Sequence, residues 1–331
     1  MPKLTRYLNI ATAPHSPATA VFAGVPAAPA VGAGAAYPPF DLKNFGGRII
    51  QDLTYVTYYL GGAGRWTASD RKAIDGGIAA LMTDPWCNNV LDQYYAGKPT
   101  TTVSPSKVLT DPVGDRYYTS DVEAQVTSLF NGGKLNGFDL RNAVFNFLLP
   151  RGAILVDGFR PGSARHAHET EAEHDRRHKT AFKIKKEELD SRHGLGGFHG
   201  SVHVGSATIY YSVEVYSATD NGVDNGIVIW PDYWKNVVAT MYHEMCETRT
   251  DADVADVNRT GNEKLLGWYS VKGGEIGDAP ISAAEQGKFP MSKVWYEPTL
   301  ANGTTAPIQA EWSNAIHKPE GPIAKAHRKA H

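Results

Sequence analysis

Hydrophobic and polar positions along the chain alternate between strand-like and helix-like periods. Residues 48–60 are rich in β-branched and aromatic side chains, which predicts a strand ending at Gly61-Gly62. Thr67 to Asp70 then offer capping chemistry, and Ile74, Ile78, Leu81 and Met82 recur at helical spacing up to about Thr83. A second amphipathic helix is expected over 120–130, with Ser120 as its cap and Glu123 completing a capping box. Residues 143–149 form an apolar run that reads as a buried strand. Residues 197–204 and 207–216 read as two more strands joined by a turn at Gly205-Ser206. Residues 220–226 read as a loop, and 227–230 are short and apolar. A helix of about four turns follows at about 232–248, with Asp232 as candidate cap and Val237, Val238, Met241, Met245 and Cys246 as apolar positions. The order strand, helix, helix, strand predicts an α/β (α+β) fold, a mixed sheet with packed helices.

Two stretches break the pattern. Residues 1–45 are Ala/Pro/Gly-rich and read as a flexible lead-in. Lys3 and Arg6 before an apolar step, with small residues at 25–27, give this arm some features of an export signal. Residues 164–193 hold five of the twelve histidines and many charges with almost nothing apolar. That composition predicts a solvated, partly helical insertion, because a segment with so little to bury does not pack into a core. His166, His168, His174 and His178 lie there as secondary metal candidates. The expected organisation is one domain over 46–315, that insertion, and a basic tail over 316–331.

Composition adds limits. Hydrophobic residues make up 42% of the 331 residues and charged ones 21%, enough to build a sizeable core. A formal charge of −2 supplies no broad basic surface, so nucleic acid is not an expected partner. No run of about 18 apolar residues is present, so no integral membrane association is expected. The two cysteines, Cys87 and Cys246, make no disulfide framework and are expected as buried free thiols.

The chemistry concentrates on the helix at 232–248. His243 and Glu247 are four residues apart and project from one helix face. An imidazole nitrogen with a carboxylate oxygen makes half of a Zn²⁺ shell. Metallopeptidase helices commonly read His-Glu-x-x-His, the inner Glu acting as general base. Here Glu247 replaces the second His, and Glu244 keeps the base position. The third ligand is expected from the acidic turn at 273–278, as Glu275 or Asp278. His199 or Tyr269 is the candidate donor to a developing oxyanion. The competing readings are a strand histidine satisfied by backbone for His199 and a core aromatic for Tyr269. Glu247, Asp251, Glu275 and Asp278 are all hard oxygen donors, so a structural Ca²⁺ site is the alternative to zinc. A metal-free scaffold presenting its tryptophans is a third class.

These residues resemble the EXORDIUM-like, phosphate-induced protein family of plants and its bacterial and fungal relatives. The matching pieces are His243 to Glu247, Thr250-Asp251, Gly267-Trp268-Tyr269 and Glu275 to Asp278. Upstream, Gly197-Phe198-His199-Gly200, the strand around Thr208 to Tyr211, Gly46 to Ile50 and Leu148 to Gly152 fall in the same order. Trp312-Ser313-Asn314 closes the match. Gly196 stands where the family has Cys, and Ala252 where it has Pro. The resemblance implies a zincin-like domain, extracellular localisation, and a peptide, protein or cell-wall-associated substrate. It does not name a reaction or an oligomeric state. The two leading readings are therefore a zinc-dependent hydrolase, most plausibly a metallopeptidase, and a non-catalytic extracellular binding or signalling protein with a structural ion.

Overall fold

The computed structural model describes residues 39–158, 160 and 189–327. Its centre is a mixed sheet of β1 (Asp52–Tyr59), β2 (Thr100–Val103), β3 (Ala143–Leu148), β4 (Gly197–Val204) and β5 (Ala207–Glu214), in the order β2-β1-β3-β5-β4. The short strand Lys107–Val108 also pairs with β1. β2, β1, β3 and β5 run parallel, and β4 returns antiparallel to β5 at the edge. The β4–β5 hairpin turns at Gly205, whose φ of 62° suits a residue without Cβ. The fold is α+β, as the periodicity predicts.

Successive strand residues point to opposite faces. One face sends Val56, Tyr58, Phe145, Phe147, Tyr211 and Val213 against Val122, Val126 and Leu129 of α3 (Thr119–Asn131). The other sends Tyr55, Tyr59, Val144 and Tyr210 toward two helices, α1 (Ala68–Thr83) and the long α4 (Tyr233–Thr250). Burying each such side chain fully contributes about 1.5–3 kcal/mol. Gly77 lets α1 approach α4 closely, since a Cβ there would lie 3.0 Å from Val238. Further helices are α2 (Pro85–Leu91), α5 (Val254–Thr260) and α6 (Asp278–Glu285).

Several boundaries differ from expectation, each for a local reason. Strand β1 starts at Asp52, because residues 48–50 pair instead with the end of α4: the Ile50 amide donates to the Arg249 carbonyl and the Ala252 amide to the Arg48 carbonyl. Helix α3 is closed by Asp121, whose carboxylate accepts from the Tyr118 amide, not by Ser120 and Glu123. Asp232 makes no capping bond; Asn236 organises that turn by accepting from the Ile229 and Trp230 amides. Residues 220–226 include a small antiparallel hairpin, with Ala218–Asp220 pairing Val223–Asn225. Within the lead-in, Phe40 and Leu42 are core residues and Lys43–Asn44 pairs with Trp268–Tyr269. Within the tail, Lys318–Glu320 pairs with Glu311–Ser313. The insertion lies outside the described residues up to 188, its four candidate histidines included. Asp190 and Ser191, at its end, are buried in the body.

Cys87 and Cys246 are free and buried, as expected, and burial pushes both thiols above their ordinary range. Among the described residues no helix is long and apolar enough to cross a membrane.

Candidate metal centre

Helix α4 lies across the sheet and is buried almost all round, so its polar residues face protein and not water. Arg249 ties it down. This side chain is fully buried and donates to the carbonyls of Ile50, Gln51 and Thr100 and to the Thr101 hydroxyl. The anchor sets which way the preceding turn of α4 points, and that turn carries His243, Glu244 and Glu247.

His243, Glu247 and Asp278 converge, with one candidate ligand atom from each within 4.8 Å of the others. His243 Nε2 is 3.2 Å from Glu247 Oε1. The same oxygen accepts from the Asp278 amide at 3.1 Å, at the first turn of α6. His243 and Glu247 are buried and Asp278 is half-buried; His243 Nδ1 has no hydrogen-bond partner, and Nε2 meets only the Glu247 carboxylate. Gly277 sits against the imidazole; a Cβ there would lie 2.3 Å from Nδ1. Only glycine permits that approach.

His199 stands across the cluster on the edge strand β4. Its Nδ1 lies 3.4 Å from Glu244 Oε2 and 3.6 Å from Glu247 Oε2. Its Nε2 lies 3.3 Å from Glu275 Oε1 and 3.4 Å from the Asp251 carbonyl. His199, Glu244 and Glu247 form a second convergent grouping. Of the two acids in the 273–278 turn, Asp278 thus joins His243, and Glu275 pairs with His199. Tyr269 belongs to neither grouping. It packs with Val254, Val257 and Leu266.

Electrostatics follow from burying many acids together. Burial raises the Asp278 carboxyl well above its usual range, and Glu247 beside it adds to the rise. Burial also raises Glu275, to about 7, although His199 opposes the shift. For both histidines burial opposes the charged form, but the surrounding carboxylates outweigh it. Glu275 and Glu244 raise His199, and Glu247 raises His243. A volume with this potential attracts cations.

Three more buried acids adjoin the cluster: Asp251, named above among the Ca²⁺ donors, and Glu214 and Glu311, which the sequence did not single out. Glu214 on β5 takes a hydrogen bond from the Ser212 hydroxyl, whose oxygen also lies 2.7 Å from the Asn146 side-chain amide on β3. Glu311 has neither carboxylate oxygen hydrogen-bonded, and burial raises it strongly. Asp251 accepts from the Gly267 amide. Strand alternation supplies a signal for Glu214, because Ser212 and Glu214 share a face in a strand with no solvent side. Nothing local marks Glu311.

A small cavity of about 10 Å³ lies beside His243 and Glu244, walled by Gly197, Ile227, Thr240, Ile281 and Trp295. That is room for about one water molecule and not for a substrate side chain.

Comparison of the chain with protein-family models, with curated proteins and with solved structures finds no match.

Proposed function

We propose that the chain is a zinc-dependent hydrolase, with peptide bonds of extracellular or cell-wall-associated protein as its most fitting substrate. The observation that carries this reading is the convergence of His243, Glu247 and Asp278, where His243 Nε2 meets only a carboxylate and Nδ1 has no hydrogen-bond partner. A buried polar atom without a partner is costly, and a ligand removes the cost. One nitrogen and two oxygens form a three-residue set of the kind found at catalytic zinc sites, which keep a further position open. The imidazole favours zinc over calcium, whose sites are built from oxygen.

Bound zinc supplies Lewis-acid polarisation and lowers the pKa of water. Glu244 neighbours the first ligand and lines the cavity, where it accepts a proton from the attacking water and returns it to the leaving group. His199, across from Glu244, donates to the developing oxyanion. Ile227, Ile281 and Trp295 wall the small cavity beside Glu244 on its apolar side, which limits it to about one water. Two carboxylate ligands leave less net positive charge at the metal than histidines do, so turnover is slow.

The test is elemental analysis of untagged protein together with His243→Ala and Asp278→Asn. Zinc that is retained through purification and lost in both variants is the expected result. Peptide cleavage that disappears in Glu244→Gln while zinc stays would then identify the base. Protein that holds no zinc when fresh and takes up none on reconstitution sinks the proposal.

A further inference from the structure

The two ligand groupings share one residue. Glu247 turns Oε1 to His243 and the Asp278 amide, and Oε2 to His199, 3.6 Å from Nδ1. A carboxylate whose two oxygens face two separate sets of donors has the arrangement of a bridging ligand. We propose that the centre holds two divalent cations: the first on His243, Glu247 and Asp278, the second on His199, Glu244 and Glu247. The inference rests on the zinc reading for the first position and adds the second.

Two further observations support it. Glu244, Glu247, Glu275 and Asp278 are four carboxyl groups in one small volume, Glu275 being 3% exposed, Glu244 and Glu247 0%, and Asp278 half-buried at its edge. When these carboxyls exchange their protons for metal, one divalent cation offsets two of the four charges and a second offsets the rest. Buried charge without compensation is strongly unfavourable. In addition, His199 Nε2 faces the Asp251 carbonyl at 3.4 Å and, at 3.3 Å, Glu275 Oε1, which has no other partner. These oxygens hold the ring so that Nδ1 faces Glu244 and Glu247, the arrangement by which outer oxygen acceptors commonly fix a ligating histidine. Nitrogen with carboxylate oxygen suits zinc or manganese.

The second position has a functional consequence. It takes Glu244, the proposed base, as a ligand. The singly loaded form leaves that carboxylate available for proton transfer, and the doubly loaded form does not. The second ion is therefore inhibitory, and cation availability sets the active fraction.

Zinc titration of metal-stripped full-length protein, followed by calorimetry and elemental analysis, tests this directly. The expected result is two equivalents in the wild type, the second weaker. His199→Gln should keep the first and bind the second at least about 100-fold more weakly. Manganese-loaded wild type gives an independent readout that needs no variant, because two bridged ions show exchange-coupled electron paramagnetic resonance. One equivalent in both proteins, with an isolated-ion manganese spectrum, overturns the second position and leaves the first intact. Loss of all zinc from a His199→Gln protein with unchanged thermal unfolding overturns it too, since His199 would then serve a single shared site. No zinc in the wild type removes the single-ion reading as well.

Discussion

The two faces of the central sheet come from the same strands and differ by one residue in register. On the α3 side, β3 and β5 contribute Phe145, Phe147, Tyr211 and Val213, a continuous apolar layer. On the α4 side, the same strands contribute Asn146, Ser212 and Glu214, and β4 adds His199 and Ser201, all buried. The first face needs only shape and volume. The second requires every polar group to find a partner, and it does so incompletely: Asn146 Nδ2, Ser201 Oγ and Glu214 Oε2 lack one, as does His243 Nδ1 on the facing helix. A buried polar face is tolerable where it serves a ligand, and the stability it lacks is supplied by the opposite face. The difference therefore sets a wholly apolar layer against one that combines core packing with the candidate site.

Substitutions on each face test that contrast. The largest effect is expected from Phe147→Ala, which removes a fully buried ring from the apolar layer. It should lower unfolding free energy by about 3–5 kcal/mol in urea denaturation while the remaining folded protein keeps its zinc. A metal loss as steep as the stability loss would show that the layers are not separate. Arg249→Met comes next. It leaves the carbonyls it served without a buried donor and should cost about 3 kcal/mol, and because it also frees the end of α4, zinc affinity should fall with it. Gly277→Ala sharpens the contrast from the other side. Its methyl displaces the His243 ring, so zinc binding should weaken by about 10–100-fold with a stability change of only about 1–3 kcal/mol.

The smallest effect is a pH slope. Burial raises the Glu214 carboxyl well above its usual range, partly offset by the Ser212 hydrogen bond. The folded protein thus keeps a proton that the unfolded chain releases near pH 4.5. Stability from this group is present at low pH and declines as pH rises toward the raised value, by at most about 1.4 kcal/mol per pH unit. Glu214→Gln removes the titration. Its stability relative to wild type should climb from pH 5 to pH 8, measured by denaturation at each pH. Parallel profiles would mean that Glu214 already titrates normally.

Much of the fold was legible because periodicity reports burial. The runs at 143–149 and 197–216 and the helical spacing from Ile74 to Met82 each became the expected element. Boundaries slipped where a distant partner competed. Residues 48–50 have strand composition but bond to the end of α4, and Phe40 and Leu42 belong to the core although a Pro-rich arm surrounds them. On the site helix, spacing placed His243, Glu244 and Glu247 together correctly, since four residues make one turn whatever the context. Tyr269 has no such local signal, and its ring lies in an apolar cluster.

By itself, then, the sequence determined the local matters: which segments are strands and helices, that His243 and Glu247 share a helix face, and that Glu244 adjoins them. These follow from backbone geometry over a few residues. Tertiary structure alone decided which acid of the 273–278 turn meets His243, that His199 crosses from the edge strand to face Glu244, and that Glu214 and Glu311 crowd the same volume. Those contacts join residues 31 or more positions apart, and no short-range period encodes them. The chain reaches them because the apolar layer, the α1–α4 packing and the buried Arg249 leave α4 one orientation over the sheet.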